Sequence, residues 1–170
     1  YILKMPQTFF DSFIEREKQQ ASFDWGEIAE SPWFQETVTE EIFIREDYTE
    51  KFPIEKDDIV LDIGASVGPF TFSILDKQPK HVYCFEPETT YYNCLKTNLS
   101  WYPASKYKVV SDYATSETIV NLIINYPNKF NFWKIDIEGY EYEILEDKTV
   151  QLYLLQNTNK IALEFHLNGD

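Results

Sequence analysis

Three apolar runs of this 170-residue chain each carry a carboxylate at or near their end: Val60-Leu61-Asp62-Ile63-Gly64, His81-Val82-Tyr83-Cys84-Phe85-Glu86 and Lys134-Ile135-Asp136-Ile137-Glu138. A fourth run, Ala162-Leu163-Glu164-Phe165-His166, ends in an acid and an imidazole. Apolar strands that end in acids describe the rim of a parallel sheet, where open α/β folds bind ligands. Alternation along a strand puts Lys134 with Asp136 on one side and Glu164 with His166 on one face. Gly139 permits a sharp turn that lets Glu138 face the same cleft. Four groups able to move a proton or hold a cation, Asp136, Glu138, Glu164 and His166, therefore converge from neighbouring strand ends.

The glycine loop narrows the ligand. In Gly64-Ala65-Ser66-Val67-Gly68-Pro69-Phe70 an alanine stands where a dinucleotide fingerprint carries its second glycine, so close backbone approach of a pyrophosphate is not provided for. Pro69 suits the first turn of a helix. Such a loop fits a ligand whose end carries an amine and a carboxylate, as S-adenosylmethionine does. Glu86, about twenty residues past the loop and followed by Pro87, sits where a strand-end acid accepts hydrogen bonds from ribose hydroxyls. Asp62 is expected to be buried, with loop N–H groups as its partners. Asp112 and Tyr113, after the third strand, stand where an adenine meets a carboxylate and an aromatic face.

These residues need a frame. From Asp57 onward the pattern alternates: strands at 59–63, 81–85, 107–110, 131–137 and 161–165, with helices at 70–75, 90–99, 118–126 and from 140. It predicts an α/β fold, Rossmann-like and doubly wound, with a mainly parallel sheet and helices on both faces. Residues 1–56 form an extension to the 57–170 core within a single domain. The extension is expected to hold an N-terminal helix to about residue 30, with Phe9, Phe10, Phe13 and Ile14 on its apolar stripe. A short hairpin is expected at 36–52, where Val38, Ile42, Ile44 and Tyr48 alternate with polar residues. The link from Val110 to the helix near Thr118 reads as short, which points to absent residues.

A net charge of −14 disfavours nucleic acid and anionic membranes as partners, since phosphate contacts need clustered Lys and Arg. Two cysteines without metal spacing, no apolar run of about 20 residues and no signal peptide fit a cytoplasmic protein. Hydrophobic residues at 44% support a real core. Trp25, Trp33, Tyr91 and Trp101 are candidates for stacking on sugar rings, although packing accounts for such aromatics as readily.

The run Val60–Phe70, then Cys84-Phe85-Glu86-Pro87, then Lys134-Ile135-Asp136-Ile137-Glu138-Gly139-Tyr140-Glu141, then Glu164-Phe165-His166, resembles the FkbM family of class I methyltransferases. The upstream Tyr48, Phe52-Pro53-Ile54 and Asp58-Ile59-Val60 are also similar to its lead-in. The resemblance covers about residues 36–166. It implies S-adenosylmethionine as methyl donor and O-methylation of a hydroxyl on a sugar, glycan or related natural product. It places Asp62, Gly64, Ala65 and Gly68 at the methionine end and Glu86 at the ribose; Ser66, Phe70, Pro87, Asp112, Tyr113 and Asp136 complete the expected cofactor contacts. Asp136, Glu138, Glu164 and His166 would line the acceptor side as catalytic groups. Asp136, Glu138 and Glu164 could instead hold Mg or Mn. The family's two final strands are missing from the pattern, which fits one domain of a longer chain. An NAD-linked oxidoreductase and a non-catalytic Rossmann-like binding module are the alternatives.

Overall fold

The computed structural model describes residues 23–26, 32–126 and 128–166. The expected N-terminal helix, with Phe9, Phe10, Phe13 and Ile14, lies outside the described residues. Five parallel strands form one sheet: β1 Ile59–Ile63, β2 His81–Phe85, β3 Tyr107–Val110, β4 Phe132–Ile135 and β5 Lys160–Leu163, in the order β3-β2-β1-β4-β5. The central three bury nearly every residue on both faces, which is why they read as continuous apolar runs.

Each face of the sheet has its own core. On one, Val60, Val82, Cys84 and Phe132 pack against α2 (Pro69–Leu75) and α3 (Thr89–Leu99). On the other, Leu61, Ile63, Phe85, Trp133 and Ile135 meet α4 (Ser116–Asn125), α5 (Glu141–Glu146) and α6 (Lys148–Asn157) through Ile119, Ile123, Ile144 and Val150. The doubly wound layout is as expected, while α6 was absent from the sequence reading. The described residues before 57 do not stand apart: Phe23, Ile42 and Ile54 belong to the α2/α3 core.

The hairpin at 36–52 does not form. Pro32–Val38 is helix α1 and Thr39–Ile44 continues as a π-helical turn, closed by Arg45 N–H donating to Glu40 O at 2.8 Å. Val38 and Ile42 are four apart, so the even-numbered apolar positions that mimic strand alternation also fall on one helical stripe. Packing of Ile42 against the α2 side decides between the two periods. The link from β3 to α4 is residues 111–115, short because Thr115 caps α4 at once and Thr118 returns the bond. No absent residues are needed there. Among the described residues no helix is long and apolar enough to cross a membrane.

At the amino ends of the strands, buried Asp58 accepts from Asn131 Nδ2 at 2.7 Å and Lys160 Nζ at 2.9 Å, tying β1, β4 and β5 together. In mid-sheet the paired positions Cys84, Asp62, Lys134 and Ala162 form a row on the α2/α3 face. Asp62 is fully buried and accepts from Thr71 Oγ1 on α2 at 2.6 Å. Thr71→Val is expected to lower unfolding free energy by about 2–3 kcal/mol, as removal of a hydrogen bond to a charged group does. Urea denaturation measures it, and a loss below about 0.5 kcal/mol would show that Asp62 does not need the hydroxyl.

Candidate functional site

A cleft of about 780 Å³ opens at the carboxyl ends of the strands, within the usual range for small-molecule sites. Its floor is the loop after β1. Gly64 (φ 81°) takes a left-handed conformation beside β4, and a Cβ there would collide with the Asp136 carbonyl. The Gly64 and Ala65 N–H groups both donate to Phe85 O, at 3.2 and 2.9 Å, and Gly68 N–H donates to Ala65 O at 2.9 Å. Ser66 N–H donates to Glu86 Oε2 at 2.8 Å. These loop amides are spent on Phe85, Glu86 and the loop itself, and none of them reaches Asp62. The expected partnership fails because Asp62 points sideways into the α2/α3 core, where Thr71 and Lys134 serve it instead.

Lys134 joins the parts. Its ammonium is almost wholly buried, donates to Gly64 O at 2.8 Å, and lies 3.3 Å from Asp136 Oδ2 and 3.6 Å from Asp62 Oδ1. Burial pushes the Asp62 carboxyl up, and the nearby ammonium and the Thr71 hydroxyl oppose that.

Glu86 closes β2. Its Oε1 accepts from Glu88 N–H and its Oε2 from Ser66 N–H, both at 2.8 Å. Burial raises its pKa against those two bonds. Each oxygen accepts one protein hydrogen bond, which leaves lone-pair capacity for a ligand at the cleft wall.

Asp136, Glu138, Glu164 and His166, expected on the acceptor side, follow β4 and β5, and Tyr48 comes from the segment before β1. Asp136, on the cleft wall, receives Tyr48 Oη at 3.2 Å, and Glu164 receives the same hydroxyl at 2.8 Å. Burial first, then Asp136 and Glu164, push the Tyr48 phenol far up, so it stays protonated. Glu138 and Gly139 both have positive φ, 54° and 100°, which turns the chain sharply and points Glu138 at the cleft. His166 Nε2 lies 3.4 Å from Glu138 Oε2, 3.8 Å from Glu164 Oε1 and 4.0 Å from Asp136 Oδ1. His166 Nδ1 lies 3.0 Å from Oε1 of Glu141, a carboxylate with no exposed surface. That bond chiefly, with Glu138 and Asp136 adding, raises the His166 pKa against partial burial.

Of the expected ligand contacts, Gly64, Ser66, Glu86, Pro87, Tyr113, Asp136 and Glu138 line the cleft. Asp62, Ala65, Gly68 and Phe70 are buried beneath it and support the loop. Asp112 is exposed and folds back on its own strand end, accepting from Tyr113 N–H at 2.8 Å. Glu164 faces a second cavity of about 260 Å³ with Glu41, Asp47 and Tyr48. Among the described residues, Asp136, Glu138 and His166 bring ligand atoms within 4.8 Å of one another, a grouping that does not include Glu164. Trp33 and Tyr91 line the cleft; Trp25 packs on Phe23, and Trp101 lies exposed away from it.

Glu141, Tyr48, Tyr140 and Glu143 were not among the expected site residues. Glu141 had a signal: with Ile144 it makes an i, i+3 pair, so an acid occupies the buried stripe of α5. Tyr48 had none of its own, since its partners lie 88 and 116 residues away.

Residues 100–169 match the model of the methyltransferase FkbM domain. The match covers 70 of the 170 residues, less than half of the chain. Solved structures add the fold. The Escherichia coli protein yhhF, described as a methyltransferase, is 18% identical with a TM-score of 0.52, covering 79% of this chain and 70% of that one. A precorrin-6y C5,15-methyltransferase from Geobacter metallireducens is 17% identical with a TM-score of 0.51, covering 65% and 56%. A Pyrococcus horikoshii protein described as an RNA methyltransferase is 19% identical with a TM-score of 0.46, covering 72% and 56%. The chain thus spans little more than half of two of these three proteins. No curated protein matches it in sequence.

The chain's two histidines should titrate apart. His166 is held above the ordinary imidazole value by Glu141 first, whereas burial holds His81 below it. Imidazole proton shifts followed by NMR are expected to bracket pH 6.5, with His166 on the high side. A common midpoint would remove the Glu141 contact from the site. Gly64→Ala, forced against the Asp136 carbonyl at positive φ, is expected to cost about 3 kcal/mol or more in a denaturant melt.

Proposed function

We propose that the chain transfers a methyl group from S-adenosylmethionine to a hydroxyl of a neutral sugar, glycan or related natural product. The observation that carries this reading is Glu86. It is a buried carboxylate, anchored by two backbone N–H groups at the end of β2, on the wall of a cleft that also reaches Gly64 and Asp136. In that reading Glu86 accepts from the ribose hydroxyls, Tyr91 and Tyr113 flank the adenine, and the methionine end runs over Gly64 and Ser66 toward Asp136.

The acceptor is read from the lining. Glu86, Glu88, Asp136, Glu138 and Glu143 face the cleft, and among the described residues no Lys, Arg or His lines it; His166 lies next to that wall, its Nε2 3.4 Å from Glu138 Oε2. A phosphorylated acceptor or nucleic acid would meet only like charge there. Trp33 and Tyr140, 72% and 68% exposed at the mouth, offer ring faces suited to sugars.

S-adenosylmethionine, held by Glu86, Gly64 and Ser66, would supply a methyl group already activated for attack by the acceptor oxygen and would keep the carbon–sulfur bonding pair on its sulfur, leaving as the neutral thioether. The hydroxyl proton passes to His166 Nε2 as the new bond forms. The donor is already activated, so alignment does most of the work. The base is worth about 10²–10⁴-fold.

Radiolabelled donor incubated with a neutral glycan panel and with RNA is expected to label glycans alone. His166→Ala should lower kcat about 10²-fold or more with donor affinity unchanged. Glu86→Ala should weaken S-adenosylhomocysteine binding at least tenfold, the loss of about one hydrogen bond to a charged acceptor. Labelled RNA would reverse the acceptor assignment. Calorimetric binding of NAD in place of S-adenosylhomocysteine would point to an oxidoreductase, and cofactor binding without turnover to a binding module.

A further inference from the structure

His166 and the turn carrying Glu138 come from different strand ends, yet both rest on one side chain. Glu141 Oε1 accepts from Ile137 N–H at 3.0 Å, from Gly139 N–H at 3.1 Å, and faces His166 Nδ1 at 3.0 Å. The two backbone donors belong to the tight turn after Asp136; the imidazole belongs to the segment after β5. Glu141 itself is fully buried at the start of α5, and its Oε2 has no partner.

Glu141 Oε1 already takes two backbone N–H groups, so it meets the imidazole as an acceptor too. The imidazole nitrogen facing Glu141 must therefore carry the proton, and in the neutral ring the other nitrogen must hold the lone pair. That other nitrogen is Nε2, the atom directed at Asp136, Glu138 and Glu164.

We propose that Glu141 is the positioning residue of the reaction: it fixes His166 in the Nδ1–H tautomer with Nε2 open toward the acceptor, and holds the Glu138 turn in the same grip. This rests on the methyl-transfer reading for its consequence, though not for its geometry. When Nε2 takes the acceptor proton, Nδ1 keeps its own, and the imidazolium formed lies against the Glu141 carboxylate. The negative charge is then in contact with the base at the moment the base becomes positive, without touching either reactant.

Two measurements test this. Long-range nitrogen–proton NMR on the intact chain, with a chelator present and His81→Gln leaving a single imidazole, is expected to show neutral His166 protonated at Nδ1. A proton on Nε2 would overturn the assignment, whether or not an acceptor is ever found. Kinetics supply the second readout. Glu141→Gln keeps an oxygen for the two backbone donors and removes only the charge, so it should lower kcat at least tenfold with S-adenosylhomocysteine affinity unchanged. The double variant Glu141→Gln/His166→Ala should be no slower than His166→Ala alone, because residues acting as a unit are non-additive. Wild-type kcat in Glu141→Gln, or additive losses in the double variant, would reduce Glu141 to a structural support. Absence of turnover on every acceptor would strike the methyl-transfer reading, and the tautomer measurement would still decide the geometry.

Discussion

A single buried ammonium holds the site together. Lys134 sits in the middle strands of a strongly acidic protein, with its Nζ bonded to the Gly64 carbonyl and close to both Asp62 and Asp136. Removing a partner from such a buried group leaves an uncompensated charge, which costs far more than a surface pair contributes. The arrangement joins the glycine loop, the centre of β1 and the tip of β4 through one electrostatic anchor. It also explains how the fully buried Asp62 tolerates a dry neighbourhood: the ammonium lies 3.6 Å from its Oδ1.

The cleft above that anchor separates two tasks by environment. Glu86 is preorganised by backbone donors, so its oxygens are already aimed when a ligand arrives. The acceptor side is built from side chains on longer levers, with Tyr48 and Glu141 restraining Asp136, Glu164 and His166 from opposite directions. A reaction whose donor is activated in advance needs such alignment more than it needs a strong base.

The sheet was legible because its signals are local. Val60–Ile63, Val82–Phe85 and Phe132–Ile135 are apolar runs bounded by turns, and Gly64 and Glu86 stand at fixed offsets from them. The strand-end acids could be placed on a rim from alternation alone. What escaped reading depends on contacts between distant segments. Val38 and Ile42 satisfy a strand period and a helix period equally, and only the α2 core chooses. Asp62 was recognisable as buried, but the identity of its partners depends on which way β1 faces, and it faces Thr71. Glu141 could have been found as an acid on an apolar helical stripe; Tyr48 is placed by the whole fold.

The sheet order sets a timetable for the molecule's own assembly. β1 finds β2 across one short helix, whereas β4 returns to β1 only after the chain has laid down β3 and α4, with Asn131 meeting Ile59 across 72 positions. Closing the longer loop costs more entropy and comes later on average. Half of the crevice is therefore a near-neighbour structure and half a long-distance one. Contact order therefore favours early formation of the wall built by Gly64 and Glu86 over the one built by Asp136 and His166.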